Sequence, residues 1–191
     1  IQFTAPASHL LNDAPFQLTA SGGASGNPVS FSSSDTTIAS ITGNLVTVHQ
    51  AGTCIITASQ AGNNNYFAAT SVSQSLTVNR IPQVILFNAL PIKQLGDAPF
   101  QLSALGGGSG NAVIFSSSDT SVASVSGTTV ILHAAGYCMI TASQNGNAQY
   151  DAAADVSQVL LVNAGGSMVL YSFGTTTTPT ALPTSGLPVN H

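Results

Sequence analysis

The sequence predicts an all-β protein: two tandem β-sandwiches of about seven strands each, then an extended C-terminal tail. Three observations carry that expectation. The chain repeats itself at one constant offset, so that Ile1-Gln-Phe3 returns as Ile85-Leu-Phe87 and Asp13-Ala-Pro-Phe16-Gln-Leu18 returns as Asp97-Ala-Pro-Phe100-Gln-Leu102. From Ile1 to Asn79 the register holds without a gap, and 47 of the 79 positions match their counterparts, far more than chance allows. Within each copy, apolar residues alternate with polar ones over short runs, and Gly, Asn and Pro clusters separate the runs.

The elements follow in order. Phe16, Leu18 and Ala20 alternate with polar neighbours, as do Val29 and Phe31, then Val46 and Val48, then Cys54, Ile56 and Ala58. Val72, Leu76 and Val78 make the last run, with Ser and Thr on the opposite phase. A period of two with one apolar face is the pattern of a half-buried antiparallel strand. Turn chemistry stands between the runs at Gly22-Gly23, Gly26-Asn-Pro28, Gly43-Asn44, Ala51-Gly52 and Gly62-Asn63. About seven short strands in a copy of this length point to a sandwich with Greek-key connections rather than an up-and-down barrel. Glu and Trp are absent, and no segment predicts a helix.

The organisation is therefore residues 1–80 as module 1, 81–164 as module 2, and 165–191 as a tail. The joint Asn79-Arg-Ile-Pro-Gln83 is short, and Pro82 fixes its own φ while restricting Ile81, which favours an extended pair of modules. In the tail, Ser167, Met168, Val169, Leu170, Tyr171, Ser172 and Phe173 read as a strand, and Met168–Tyr171 fall under Val84–Phe87, the expected first strand of module 2. This resembles the opening of a third module. It is a candidate assembly strand that adds to a sheet edge of the next subunit and builds a head-to-tail homopolymer. The plainer expectation is a linker or terminus, since the following Thr175–Thr178 run with Pro179, Pro183 and Pro188 cannot build a core. The Thr run is also a site for O-linked sugar on composition, whereas no Asn-x-Ser/Thr acceptor exists.

Charge narrows the function. Only 4% of residues are charged, the two cations are Arg80 and Lys93, and the net charge is −4. Such a surface lacks the basic footprint for nucleic acid and is a poor match for an anionic membrane. No apolar run reaches the about 18 residues that a spanning helix needs. Solubility falls to Ser, Thr, Asn and Gln, which fits an extracellular or cell-surface setting. The start at Ile1, without Met, reads as a processed product or a segment of a longer chain.

Candidate chemistry is sparse. Cys54 and Cys138 occupy equivalent positions on the apolar phase, one per module, and are expected as buried thiols. His9, His49, His133 and His191 show no metal-ligand spacing; His49 and His133 are expected at the surface of a strand end. Asp13, Asp35, Asp97 and Asp119 sit in turn contexts where a carboxylate bonds nearby backbone N–H groups. Asp151 and Asp155 occur only in module 2 and are weak calcium candidates. No Gly-x-Ser-x-Gly elbow or paired carboxylate suggests catalysis, and no cofactor is expected. Lys93, the only lysine, has no counterpart in module 1, so at most one module could form an internal isopeptide bond. Tyr66, Phe67, Tyr137 and Tyr150 are the aromatics for a binding patch, with Tyr66 and Tyr150 expected to pack on the last strand.

The string Gly52-Thr-Cys-Ile-Ile-Thr-Ala-Ser-Gln-Ala-Gly62-Asn63, with Tyr66 and Ala68-Ala69 after it, resembles the later strands of bacterial immunoglobulin-like repeats of the Big/MBG type. Phe87-Asn-Ala-Leu-Pro91, Lys93 and Gly96-Asp-Ala-Pro-Phe100 resemble their opening. The resemblance spans residues 1–163 and implies two tandem immunoglobulin-like β-sandwiches. Repeats of this kind are strung along adhesins, surface fibres and cell-wall proteins, and some decorate phage virions. The expected function is a non-enzymatic structural subunit of a filament or surface fibre, its partners identical subunits or neighbouring immunoglobulin-like modules. The alternative is an adhesin stalk, a phage decoration unit, or a module that binds a cell-surface glycan.

Overall fold

The computed structural model describes residues 1–165; the strand expected at Ser167–Phe173 lies outside them. The described residues are all-β, without a helix. The first copy contains β1 (Gln2–Phe3), β2 (His9–Leu10), β3 (Phe16–Gln17), β4 (Ala20–Ser21), β5 (Val29–Ser33), β6 (Ala39–Thr42), β7 (Leu45–Val48), β8 (Gly52–Gln60) and β9 (Ala69–Asn79). The second contains β10 (Lys93–Gln94), β11 (Phe100–Gln101), β12 (Ile114–Ser117), β13 (Ala123–Ser126), β14 (Thr129–Leu132), β15 (Gly136–Ser143) and β16 (Val156–Asn163).

Each copy folds the same way. One sheet has the order β2-β9-β8-β5, with β2 parallel to β9 and the other pairs antiparallel. A second has the order β3-β7-β6, and β1 pairs with β4 beside it. The second copy repeats this as β10-β16-β15-β12 and β11-β14-β13. If β3 and β4 are read as one interrupted strand, this is the Greek-key order of an immunoglobulin-like sandwich. The segment Val84–Phe87, expected as a strand, makes only a single bridge, Leu86 to Leu105. Ile85 and Phe87 are nevertheless buried, so the alternation seen in the sequence survives without a ladder.

Burial explains why these strands pair in this register. Along β8, Cys54, Ile56, Ala58 and Gln60 point inward, and the residues between them do not. A one-residue slip would put Thr53, Ile55 and Thr57 into the core instead. Leu76 and Val78 from β9 and Ala39 and Val46 from the facing sheet complete one cluster. Its counterpart contains Val130, Ile140, Leu160 and Val162. Each copy thus encloses its own core. An aromatic pair packs the opening segment of each copy onto its four-stranded sheet: Phe3 edge-on to Phe31, and Phe87 tilted on Phe115, both with centroids 5.4 Å apart.

In the hairpins β6–β7 and β13–β14 the alternation of Val46 and Val48 marked the second strand and nothing marked the first, but the turns are locally specified. Thr42 pairs with Leu45 and Ser126 with Thr129, leaving two-residue loops. The first loop residue is Gly43 (φ 66) or Gly127 (φ 61), and Asn44 and Thr128 keep negative φ. Positive φ at the first position alone marks a type II′ turn, whose twist matches that of the strands.

Two outcomes follow from this architecture. Gly43→Ala and Gly127→Ala force a side chain into positive φ and each lower stability by roughly 1 kcal/mol or more. Leu76→Ala and Leu160→Ala each destabilise the module that contains them by about 2–5 kcal/mol, because a fully buried side chain leaves a cavity. Urea titration followed by circular dichroism measures both effects.

Candidate functional site: the loop end of each module and the joint

Two grooves occupy equivalent places. In module 1 a groove of about 630 Å³ is lined by the Gly22–Asn27 loop, Val29, Phe31 and Gln60. Its counterpart in module 2 measures about 450 Å³ and is lined by the Gly106–Asn111 loop, Val113, Phe115 and Gln144. The organiser of each is a buried glutamine at the end of the central strand. Gly23 N–H donates to Gln60 Oε1 (2.6 Å), and Gln60 Nε2 donates to the Asn27 carbonyl (2.6 Å). Gly107 and Asn111 bond Gln144 in the same way, both at 2.7 Å. Asn27 Nδ2 then donates to the Ala61 and Gly62 carbonyls, and Asn63 Nδ2 to the Ser25 carbonyl. Two loops distant in sequence are thereby tied together without a charge. Gly62 is required beneath them: a Cβ there would lie 2.6 Å from Ala68 N.

The sequence placed turns at these glycines and asparagines but did not single out Gln60 and Gln144 as their organisers. The available signal was the conserved phase: each falls where its strand's alternation calls for an apolar residue, and each recurs in both copies.

The joint is the second built feature. Strand β9 ends at Asn79, and Ile81 already belongs to module 2: its N–H donates to the Gln149 carbonyl (2.8 Å), and its carbonyl accepts from Asp151 N–H (3.0 Å). Gln83 is only 9% exposed. Its Nε2 donates to the Asn145 carbonyl (3.2 Å), and its Oε1 accepts from Ser109 N–H (2.9 Å). Ile85 then enters the core of module 2. Arg80 alone stands between the two bonded frameworks, and with Asp151 it lines a small cleft beside Gly52 and Asn79. Asp151, a calcium candidate, thus takes part in the joint through its backbone, and exposed Asp155 directly precedes β16. Among the described residues no three His, Cys, Asp or Glu side chains gather in a group.

The outer faces of the two four-stranded sheets differ. In module 1, cross-strand positions pair Thr53 with Thr77 and Ile55 with Ser75. In module 2 the same positions pair Tyr137 with Leu161 and Met139 with Val159. Tyr137 is 73% exposed, and Val159 is also exposed. This makes an apolar stripe on one module only. The other aromatics diverge too. Tyr150 lies against Gly108, where a Cβ would come within 2.6 Å of its ring carbon Cζ. Module 1 has Ala24 at that position, and Tyr66 is 50% exposed rather than packed on the last strand, with Phe67 beside it almost wholly exposed.

The remaining polar residues serve turns. Asp35 Oδ1 accepts from Thr37 Oγ1 (2.6 Å) and Thr37 N–H (2.9 Å); Asp119 does the same with Ser121. The hydroxyl bond first, and the backbone bond second, holds both carboxyls below the usual 3.8. Asp13 and Asp97 accept from Leu10 and Gln94 N–H, three residues back. His49 and His133 each meet a serine hydroxyl, Ser40 and Ser124, at 2.7 Å. The exchanged pair His9 and Lys93 keep one role, covering Phe16 and Phe100 respectively. Cys54 and Cys138 are buried free thiols, one in each core.

Replacing the hub glutamine, Gln60→Ala or Gln144→Ala, strands an N–H and a carbonyl and lowers stability by about 1–3 kcal/mol; chemical denaturation reads this. The aspartates carry a pH signature. Their folded pKa lies below the unfolded one, so their contribution is present above 3.8 and is lost as pH falls through the folded value. In Asp35→Asn/Asp119→Asn, the fall of stability with acid below 3.8 becomes shallower than in the parent, measured by thermal melts across pH.

The chain matches no family model and no curated protein. Among solved structures it is similar to Drosophila N-cadherin EC1-4 at 15% identity, covering 86% of this chain and 49% of that one, with a TM-score of 0.38. Mouse cadherin-23 EC22-24 shows 14% identity over 85% of this chain and 63% of that one, TM-score 0.36. Domains 4-9 of the surface layer protein SbsC show 18% identity over 81% and 25%, TM-score 0.34. The chain therefore spans about half of the first of these structures and less than two thirds of each of the others.

Proposed function

We propose that the chain is a non-enzymatic structural subunit, an extracellular spacer that holds two sandwiches in fixed succession within a filament or surface fibre. The observation that carries this is the joint. Backbone hydrogen bonds of Ile81 and the buried carboxamide of Gln83 anchor the connection one residue after β9 ends. A tether for two independent binding units would leave slack there. A scarcely charged surface of hydroxyls and amides is in keeping with a spacer. Subunits add head to tail through the strand-like segment Ser167–Phe173 of the tail, which joins a sheet edge of the next copy.

A second reading has one specific observation in its favour. The stripe of Tyr137, Leu161, Met139 and Val159 gives module 2 an apolar face that module 1 lacks. An adhesin stalk, a glycan- or cell-surface-binding module or a virion decoration unit would use such a face.

Negative-stain electron microscopy of the full chain and of a chain ending at Gly165 separates the two. End-to-end filaments from the full chain and single two-module particles from the truncated one are the expected pair of results. Two-module particles from both remove head-to-tail assembly and leave the surface-binding reading. Small-angle scattering tests the joint itself: Pro82→Gly/Gln83→Ala broadens the distribution of module separations if the bonds at Ile81 and Gln83 hold the pair fixed.

A further inference from the structure

The outer face of the four-stranded sheet in module 2 departs from its counterpart in one direction. Tyr137, Met139, Val159 and Leu161 stand where module 1 has Thr53, Ile55, Ser75 and Thr77. Ile92, exposed and one residue before Lys93, the partner of Val162, replaces Ser8. Four of these five exchanges put a large apolar or aromatic body in place of Ser or Thr. Further along the same two strands the hydroxyl pair is kept in both modules, Thr57 with Ser73 and Thr141 with Ser157. The apolar residues therefore gather at one end of the sheet. It is the end where the chain leaves the module: Tyr137 pairs with Leu161, two residues before β16 ends at Asn163. The exits differ in the same sense. Module 1 leaves through Arg80-Ile81-Pro82, which runs on into the frame of module 2. Module 2 leaves through Ala164-Gly165-Gly166 and then Ser167-Met-Val-Leu-Tyr-Ser-Phe173. Gly165 lies against the Leu95 carbonyl, where a Cβ would come within 2.5 Å of the oxygen.

We propose that this stripe is the seat of the chain's own segment Ser167–Phe173, which turns back at Gly165-Gly166 and covers it. The reach is sufficient. Seven extended residues span roughly 23 Å, whereas Leu161 to Val159 is a step of about 7 Å along β16. The two glycines supply the turn, since they accept φ values closed to other residues. Met168, Val169, Leu170, Tyr171 and Phe173 bring the apolar surface that the stripe takes out of water, and neither side carries a charge that would have to be buried. Attachment decides the source. A segment tethered this close to the sheet meets it at an effective concentration on the order of millimolar, so in dilute solution the chain's own copy outcompetes a neighbour's. The seat belongs to the free subunit and goes beyond both readings of the function. A seated segment hides the face that a surface-binding module would use, and where copies join through this segment, joining begins with its release.

The chain has two methionines, Met139 in the stripe and Met168 in the segment. Oxidation of Met139 by peroxide, followed by mass spectrometry of proteolytic fragments, reads the cover directly. Met139 is expected to react about threefold or more slowly in the full chain than in a chain ending at Gly165, the ratio for a seat filled in about two thirds of chains, and this ratio holds on dilution. Val159→Ser/Leu161→Thr gives β16 the residues that module 1 already carries as Ser75 and Thr77, and brings the ratio between the two chain lengths to one. A ratio of one in the parent overturns the proposal. A ratio that falls towards one on dilution assigns the cover to a neighbour's tail, and slow oxidation in both lengths that quickens on dilution assigns it to the sheet of a second copy; either result overturns the seat. A ratio that persists in Val159→Ser/Leu161→Thr overturns the stripe as the docking face. Filament formation is read separately by electron microscopy, so the seat and head-to-tail assembly fail independently.

Discussion

The loops of this protein are held by neutral side chains bonded to backbone, and the rest of the structure depends on that constraint. With only 4% charged residues, ion pairs are scarce; among the described residues the one such contact is the hydrogen bond between His9 Nδ1 and Asp13 Oδ2 at 3.0 Å. Carboxamides and hydroxyls take over. Gln60 and Gln144 are buried where the strand pattern calls for an apolar side chain, and they survive there because both ends of each amide are bonded. They fix the loop above the core, the asparagines lock that loop to its neighbour, and in module 2 the resulting end of the sandwich seats Ile81 and Gln83.

The two modules show how little sequence change alters a surface once the frame is fixed. Nine core positions hold the same residue buried in both, while Ile85, Val122 and Ala153 are buried in module 2 alone, and the two hubs have the same bonds. Divergence is confined to what the frame leaves free: the outer sheet face, apolar in module 2 and hydroxyl-rich in module 1, and the seat of the tyrosine, decided by Gly108 against Ala24. A duplicated scaffold in this way supplies two different faces without two different folds.

Much of the fold was legible in the sequence because period-two alternation in β5, β8 and β9 and their counterparts is driven by burial, which acts residue by residue. The two-residue strands β2 and β10 were not, since two residues carry no period; they exist because the chain passes alongside β9 and β16 and pairs there in parallel. Strands β6 and β13 were hidden by their hydroxyls, although Gly43-Asn44 marked the first of the hairpins they enter. The candidate site was less legible. Its contacts run from carboxamide side chains to backbone carbonyls of loops more than thirty residues apart, and no local pattern gives a hint of that meeting. Pro82 flagged the joint as stiff, but the burial of Gln83 depends on a slot that only the folded second module creates.

The matched thiols distinguish the two modules when one of them opens. Cys54 and Cys138 sit at the centre of separate cores, hidden from any reagent in water while their modules stay folded. A module that unfolds would present its sulfur at once, and one that stays folded would keep it covered. The pair is thus an internal record of opening: which thiol has reacted tells which module came apart.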